Sequence, residues 1–214
     1  MDRPVSGRRR EHALRGFSES DADPHPIRQF DKWYDDAVKA GLFDPSVMAL
    51  ATVGASGQPA VRMVLLKGFG ARGFVFYTNY ESRKGRELAA NPRVAVTFCW
   101  GDLDRQVRIE GTVEPLSPAE SDAYFQSRPR ESQLGAWASQ QSAVIADRRA
   151  LEQHYEAAEE RYADASVPRP PNWGGYRIVP TVLEFWQGRE RRLHDRLCYR
   201  RRDDGSWLLE RLSP

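Results

Sequence analysis

VMALATVGASGQPAVRMVLLKGFGARGFVFYTN, residues 47–79, is the stretch on which the fold turns. VMALATV is a short apolar strand and GASGQ a turn. PAVRMVLLK is a second strand, GFGARG a second turn, and GFVFYTN a third strand. Strand-length apolar runs separated by short glycine-bearing turns form an antiparallel meander. Downstream, SRKGRELAANP reads as one short helix ended before Pro92, since the residue before a proline is pushed out of the helical region. RVAVTFCW and RQVRIEGTVEPL are two more strands, joined by GDLD.

Upstream, Ile27, Phe30, Tyr34, Ala37 and Val38 fall at helical spacing, which predicts an amphipathic helix over about 28–40 with Gly41 as its stop. Further on, Ser117-Pro118-Ala119-Glu120 is a capping box with proline at the first helical position, and it starts a helix through about Ser127. A short helix is expected over Ser132–Ala138. A longer one, opened by Ser142, is expected to align Leu151, Tyr155, Ala158 and Tyr162 on one face. PRPPNW is a rigid linker. GYRIV, VLEFWQG, RLCYRRR and SWLLERL return to strands. Antiparallel strands interrupted by helices give an α+β protein with a β-barrel core.

The chain has 214 residues, enough for a sizeable core. Its 32 basic and 30 acidic residues nearly cancel, so neither nucleic acid nor a membrane surface is an expected partner. The two cysteines, Cys99 and Cys198, form no CxxC pair, so neither a disulfide framework nor a structural metal site is expected; both read as buried, inert thiols. No apolar run approaches the roughly 20 residues of a membrane helix. The polar, basic N-terminus is not a secretory signal, which points to the cytoplasm. Residues 1–25 read as a flexible arm, and 26–214 as a single domain.

Several residues invite chemistry. Arg62 and Lys67 bracket Met63, Val64, Leu65 and Leu66. They are either strand-end cations in solvent or cations facing an anion. Their odd spacing puts them on opposite faces of a regular strand, so a shared target requires a bulge. After Tyr77 and Thr78, Ser82-Arg83-Lys84 opens a helix, and free N–H groups with two cations suit a phosphate. The alternative is a Ser-capped surface helix. Gln106 shares a strand face with Arg108 and suits a polar ring edge, though most strand glutamines are merely solvated. Tyr124, Arg128 and Ser132 lie four apart and could hold a second phosphate, or form a polar helix surface. Gln141-Ser142 precedes a helix, with Ser142 its expected N-cap. Trp186 offers a flat face for a ring. Arg192, His194 and Arg196 alternate onto one face of an extended chain, with Leu193 between, and such a cationic row calls for an anion; the alternative is that His194 is a satisfied structural histidine. No GxSxG, HExxH, P-loop or GxGxxG is present, so hydrolase, zinc-peptidase and Rossmann readings have no support.

RMVLLK, FVFYTN, SRK, NPR, RQVRIEG, YFQSRPRESQLGAWASQQS, NWGGYRI, EFWQGR, RLHDR and RLSP, in order over about 28–214, resemble the pyridoxamine 5'-phosphate oxidase family. The resemblance implies an antiparallel FMN-binding split β-barrel with peripheral helices, and a homodimer with FMN at the subunit interface. It implies FMN contacts from Arg62, Met63, Val64, Leu65, Leu66, Lys67, Tyr77, Thr78, Arg83, Lys84, Gln106, Gln141, Ser142, Trp186 and Arg196, with Arg83 and Lys84 on the phosphate. It implies substrate contacts from Lys67, Tyr124, Arg128, Ser132, Arg192, Leu193 and His194. The first four would clamp the substrate phosphate, while Arg192 and His194 would serve catalysis over the pyridine ring. Arg9-Arg10-Glu11-His12 resembles an arm that folds over the substrate, with His12 where the family often has tyrosine. The activity implied is oxidation of pyridoxamine and pyridoxine 5'-phosphates by O2 to pyridoxal 5'-phosphate, through hydride transfer from C4' to flavin N5. Two rivals are a flavin or deazaflavin reductase on the same barrel, which need not keep the substrate set, and a non-enzymatic flavin or pyridoxal-phosphate carrier, which a turnover assay separates.

Overall fold

The computed structural model describes residues 16–214, so Arg9, Arg10, Glu11 and His12 lie outside the described residues. Five helices are described: α1 (Pro26–Lys39), α2 (Arg83–Ala90), α3 (Pro118–Ser127), α4 (Arg130–Ala138) and α5 (Arg148–Arg161). The strands are β1 (Val47–Val53), β2 (Pro59–Leu65), β3 (Gly68–Gly70), β4 (Gly73–Asn79), β5 (Arg93–Trp100), β6 (Arg105–Pro115), β7 (Trp173–Gln187), β8 (Asp195–Arg201) and β9 (Trp207–Arg211). They form one sheet of order β2-β1-β5-β6-β7-β4-β3, with β8 on β7 and β9 on β8. Among the described residues no helix is long and apolar enough to cross a membrane.

The chain divides into two compact units, and β5, β6 and β7 contribute residues to both. The first comprises residues up to Pro45, Thr97–Ile109 and Val182–Pro214. Its core is aromatic: Phe30 meets Phe98 edge-on at 5.0 Å, and Trp33 meets Phe185 at 5.2 Å. Arg105 lies 4.4 Å above the Trp33 ring and pairs with Asp36 at 2.8 Å. Of the stretch read as a flexible arm, the described residues 16–25 pack: Phe17 is buried, and the Asp23 carbonyl accepts from the Tyr199 hydroxyl at 2.7 Å. His25 caps α1, its Nδ1 accepting from the Ile27 N–H, so the helix starts at Pro26, two residues ahead of the expected span.

The second unit comprises Ser46–Val96 and Glu110–Thr181. β1 pairs antiparallel with β2 from Val47↔Leu65 to Val53↔Pro59. β4 pairs with both β3 and β7. The turn expected at GFGARG is shorter than its sequence suggested, because Gly68–Gly70 forms β3. Gly73 has φ +125, and a Cβ there would sit 1.9 Å from the Ile178 carbonyl oxygen, so only glycine fits. α3 carries the expected capping box: Ser117 and Glu120 bond reciprocally. Phe125, Leu134, Ala158, Tyr162, Val167 and Trp173 form the core beneath α3, α4 and α5.

Four expectations need correction. The two strands GYRIV and VLEFWQG are one, β7; Pro180, which has no N–H to give, falls between the stretch paired with β4 and the stretch paired with β8. Cys99 is exposed while Cys198 is buried, since β5 turns Val94, Val96, Phe98 and Trp100 inward and period two leaves Cys99 outside. Ser142 does not cap α5; that role falls to Asp147, whose carboxylate accepts from the Ala150 N–H at 2.8 Å. Leu151, in the first turn of α5, is exposed, although Ala158 and Tyr162 on the same face are buried.

Candidate active site

In the second unit, strands and helices enclose a cavity of about 840 Å³. β2 brings Arg62, Met63, Val64 and Leu65 to it, and the β2–β3 connection brings Lys67. β4 brings Tyr77, Thr78 and Asn79; α2 brings Lys84; α3 and the turn after it bring Tyr124, Arg128 and Pro129. Ser132, Gly135 and Ala136 of α4, Ser139, Gln141 and Trp173 complete the lining.

The odd spacing of Arg62 and Lys67 is reconciled by the backbone. β2 ends at Leu65, then the Leu66 N–H bonds to the Ser46 carbonyl while the Lys67 N–H bonds to the Val75 carbonyl. The chain changes partner between consecutive residues, so strand parity is broken and both cations reach one cavity. Leu66 is buried and does not line it.

At one end, Ser82 caps α2 and the Gly85 N–H donates to its hydroxyl. The buried Lys84 ammonium donates to Thr78 Oγ1 at 2.9 Å and Gln141 Oε1 at 2.9 Å. Burial, with Arg62 adding repulsion, lowers its pKa to about 8. Arg83 does not line the cavity; its side chain binds Glu87, and its N–H donates to the Ser142 hydroxyl at 3.1 Å. Ser142 has φ +75, so it sits in a turn that aims its hydroxyl at α2.

At the other end, Tyr77 and Tyr124 stack at 3.8 Å, and the Trp173 ring lies nearly parallel to both. Arg128 is not on the face of α3 as spacing suggested. It is the C-cap, driven to an extended backbone by Pro129. Its guanidinium lies 4.6 Å over Trp173, and Nη1 is buried without a hydrogen-bond partner. Burial pushes its pKa down. The described lining thus holds four cations, Arg62, Lys67, Lys84 and Arg128, and no carboxylate. Lys67 is exposed, but the buried Lys84 ammonium and the orphaned Arg128 donor are what an anionic ligand satisfies.

The remaining expected residues belong to the first unit. Glu184, buried, accepts from Arg196 Nε at 2.7 Å and Arg108 Nη1 at 3.1 Å. Gln106 sits on β6 beside Val107, which is fully buried. Trp186 and His194 are 4.6 Å apart, ring to ring, and His194 Nδ1 accepts from the Arg189 N–H at 3.0 Å. The expected extended row is corrected here. Glu190–Arg192 is a short 3-10 turn, with Arg191 at φ 54 and Arg192 at φ 62, so Arg192 and His194 do not alternate along a strand. Arg192 and Leu193 are exposed, and Leu193 and His194 line a smaller cavity with Asp195 and residues 211–214.

Sequence reasoning missed Pro129, Gly135, Ala136, Ser139 and Trp173 in the large cavity. Trp173 carried a signal, as an aromatic at a linker–strand junction; the small residues of α4 carried none.

The comparisons with known proteins agree with this geometry. The model for pyridoxamine 5'-phosphate oxidase matches residues 34–162, and that for the pyridoxine 5'-phosphate oxidase C-terminal dimerisation region matches 173–214. The pyridoxine/pyridoxamine 5'-phosphate oxidase of Rubrobacter xylanophilus is 57% identical over 212 residues, 99% of this chain and 97% of its own. That of Acaryochloris marina is 56% identical over 210 residues, covering 98% and 95%. Among solved structures, PhzG from Burkholderia lata, in complex with tetrahydrophenazine-1-carboxylic acid, is 33% identical with a TM-score of 0.86, covering 91% of this chain and 95% of that one. A pyridoxamine 5'-phosphate oxidase-related, FMN-binding protein from Nostoc punctiforme, 20% identical with a TM-score of 0.70 over 90% and 100%, shares the split-barrel fold. A cation-lined, aromatic-walled cavity on this sheet, with both family models and whole-length relatives in accord, leaves one conclusion: the chain belongs to the pyridoxamine 5'-phosphate oxidase family.

Proposed function

We propose that this protein is an FMN-dependent oxidase of pyridoxine and pyridoxamine 5'-phosphates, yielding pyridoxal 5'-phosphate, and that it works as a homodimer. The observation that carries the reading is the cavity with four cations, no carboxylate and a stacked aromatic wall, in a chain more than half identical to curated oxidases along its whole length.

The donor set fits FMN. Lys84, Thr78, Gln141 and Ser142 cluster at the start of α2, where a phosphate would meet the positive end of the helix and a desolvated ammonium. We assign Arg83 and Arg62 to the same group, and Gln106, Trp186 and Arg196 to the rest of the flavin. The chemistry a bound FMN supplies is two-electron transfer from the substrate C4' carbon to dioxygen, giving peroxide. Lys67, Tyr124, Arg128 and Ser132 would hold the substrate phosphate, with Arg128 Nη1 gaining the acceptor it lacks. Binding energy so far from the reacting carbon fixes that carbon's position. Arg192 and His194 would bear on the pyridine ring. In a neutral His194 ring, acceptance at Nδ1 leaves the proton on Nε2, which can donate.

The row Val61, Met63 and Leu65, apolar and outward on β2, is the surface we assign to the second copy. We further propose that the part of the arm holding Arg9, Arg10, Glu11 and His12 acts as a lid, ahead of the packed residues 16–25, that 26–214 work as one functional domain, and that the location is cytoplasmic.

The test is a visible spectrum of the protein with FMN, before and after anaerobic pyridoxamine 5'-phosphate. Bleaching, reversed by air, supports the oxidase. A flavin that stays oxidised favours a same-fold reductase or carrier, and no bound flavin sinks the reading.

A further inference from the structure

Glu87 does not line the cavity, yet it controls two of the cations assigned to the flavin. It lies one helical turn after Arg83 on α2, with its side chain only 11% exposed. Its Oε1 accepts from Arg83 Nε at 2.8 Å. Its Oε2 accepts from Arg62 Nη2 at 3.0 Å and from the Thr52 hydroxyl at 2.5 Å. Thr52, buried on β1, accepts in turn from Arg62 Nη1 at 2.5 Å, and that same nitrogen donates to the Leu50 carbonyl at 3.1 Å. Arg62 is therefore held to Glu87 twice, directly and through Thr52. Burial alone would raise the Glu87 carboxyl, but hydrogen bonds from Thr52, Arg83 and Arg62 outweigh it and hold it below the ordinary range, so it is a carboxylate at neutral pH.

One carboxylate thus bridges guanidinium groups from two elements, β2 and α2. Two long cationic side chains next to one site repel each other and roam among rotamers unless something fixes them. A carboxylate with two oxygens meets both forks, each with a directed bond. It also offsets positive charge that would otherwise bear on Lys84, whose pKa Arg62 already depresses.

We propose that Glu87 is a positioning residue of the flavin site: it sets Arg62 and Arg83 before the cofactor arrives and so gives preference for the phosphorylated flavin over riboflavin. This rests on the flavoenzyme reading above. Glu87 acts through the arginines and touches no reacting atom.

The test titrates FMN and riboflavin separately into flavin-free protein, following the quenching of flavin fluorescence, for the wild type, Glu87→Ala and Glu87→Gln. Melting of the flavin-free proteins is recorded alongside. Glu87→Ala is expected to weaken FMN about tenfold or more and riboflavin less, so that the ratio of the two affinities collapses. Glu87→Gln keeps one acceptor oxygen and should restore part of the ratio. A structural role alone would lower the melting temperature and weaken both flavins equally. A wild-type ratio in Glu87→Ala therefore overturns the proposal. Should that variant not fold, the ratio in Glu87→Gln decides by the same criterion, with a fall of about threefold expected. A wild-type protein that binds no FMN would be a different failure, of the flavoenzyme reading itself and with it this inference.

Discussion

Replacing Arg128 with methionine should weaken substrate binding strongly while sparing the fold. Methionine keeps an unbranched stem against Trp173 and removes the guanidinium, which lies 4.6 Å over that ring with Nη1 buried and unpartnered. A buried, unsatisfied donor costs about 1–3 kcal/mol, and the substitution relieves it. The lost cation–π contact is worth about 0.5–2 kcal/mol in the other direction. The two nearly offset, so the melting temperature of the flavin-free protein should move by only a few degrees. Binding has no such offset. Charge-assisted hydrogen bonds to a phosphate contribute about 1.5–3 kcal/mol each, so loss of one raises the substrate dissociation constant at least about tenfold, and loss of two at least about a hundredfold. Anaerobic titration with pyridoxamine 5'-phosphate, read as flavin bleaching, gives the affinity, and thermal melting gives the stability. A variant that melts many degrees lower yet binds substrate normally would make Arg128 a packing residue and refute the reasoning.

The pH response of Lys84 and the packing of Gly85 give two further outcomes. Lys84 is lowered to about 8 from its ordinary 10.5, so between those values the unfolded chain holds more protons and the flavin-free fold gains stability as pH rises. FMN affinity runs the opposite way. It should fall by up to about tenfold per pH unit above 8 as the ammonium is lost, and Lys84→Met should flatten the profile in a titration from pH 7 to 9.5. Gly85→Ala places a Cβ 2.1 Å from the Tyr80 carbonyl oxygen, which is backbone and cannot swing aside. The start of α2 must shift, at about 1–3 kcal/mol, and a wild-type urea midpoint would contradict this.

Much of this protein was legible in its sequence because the signals are local. Alternation and glycine turns predicted β1, β2 and β4, helical spacing predicted α1, and Ser117 with Glu120 predicted the start of α3. The Ser82-Arg83-Lys84 signal was also local, a cap followed by cations; Lys84 lines the cavity and Arg83 does not. Tertiary structure decided what depends on partners distant in sequence. Strand parity placed Arg62 and Lys67 apart, and only the exchange of pairing from Ser46 to Val75 brings them together. Period two cannot see the turn at residues 190–192, where two arginines adopt positive φ that the sequence does not announce. Trp173 reaches Arg128 across 45 residues, and Glu87 reaches Arg62 across 25. A side chain's periodicity tells which way it faces along its own element, but which charges it meets there is fixed only when other elements pack against it.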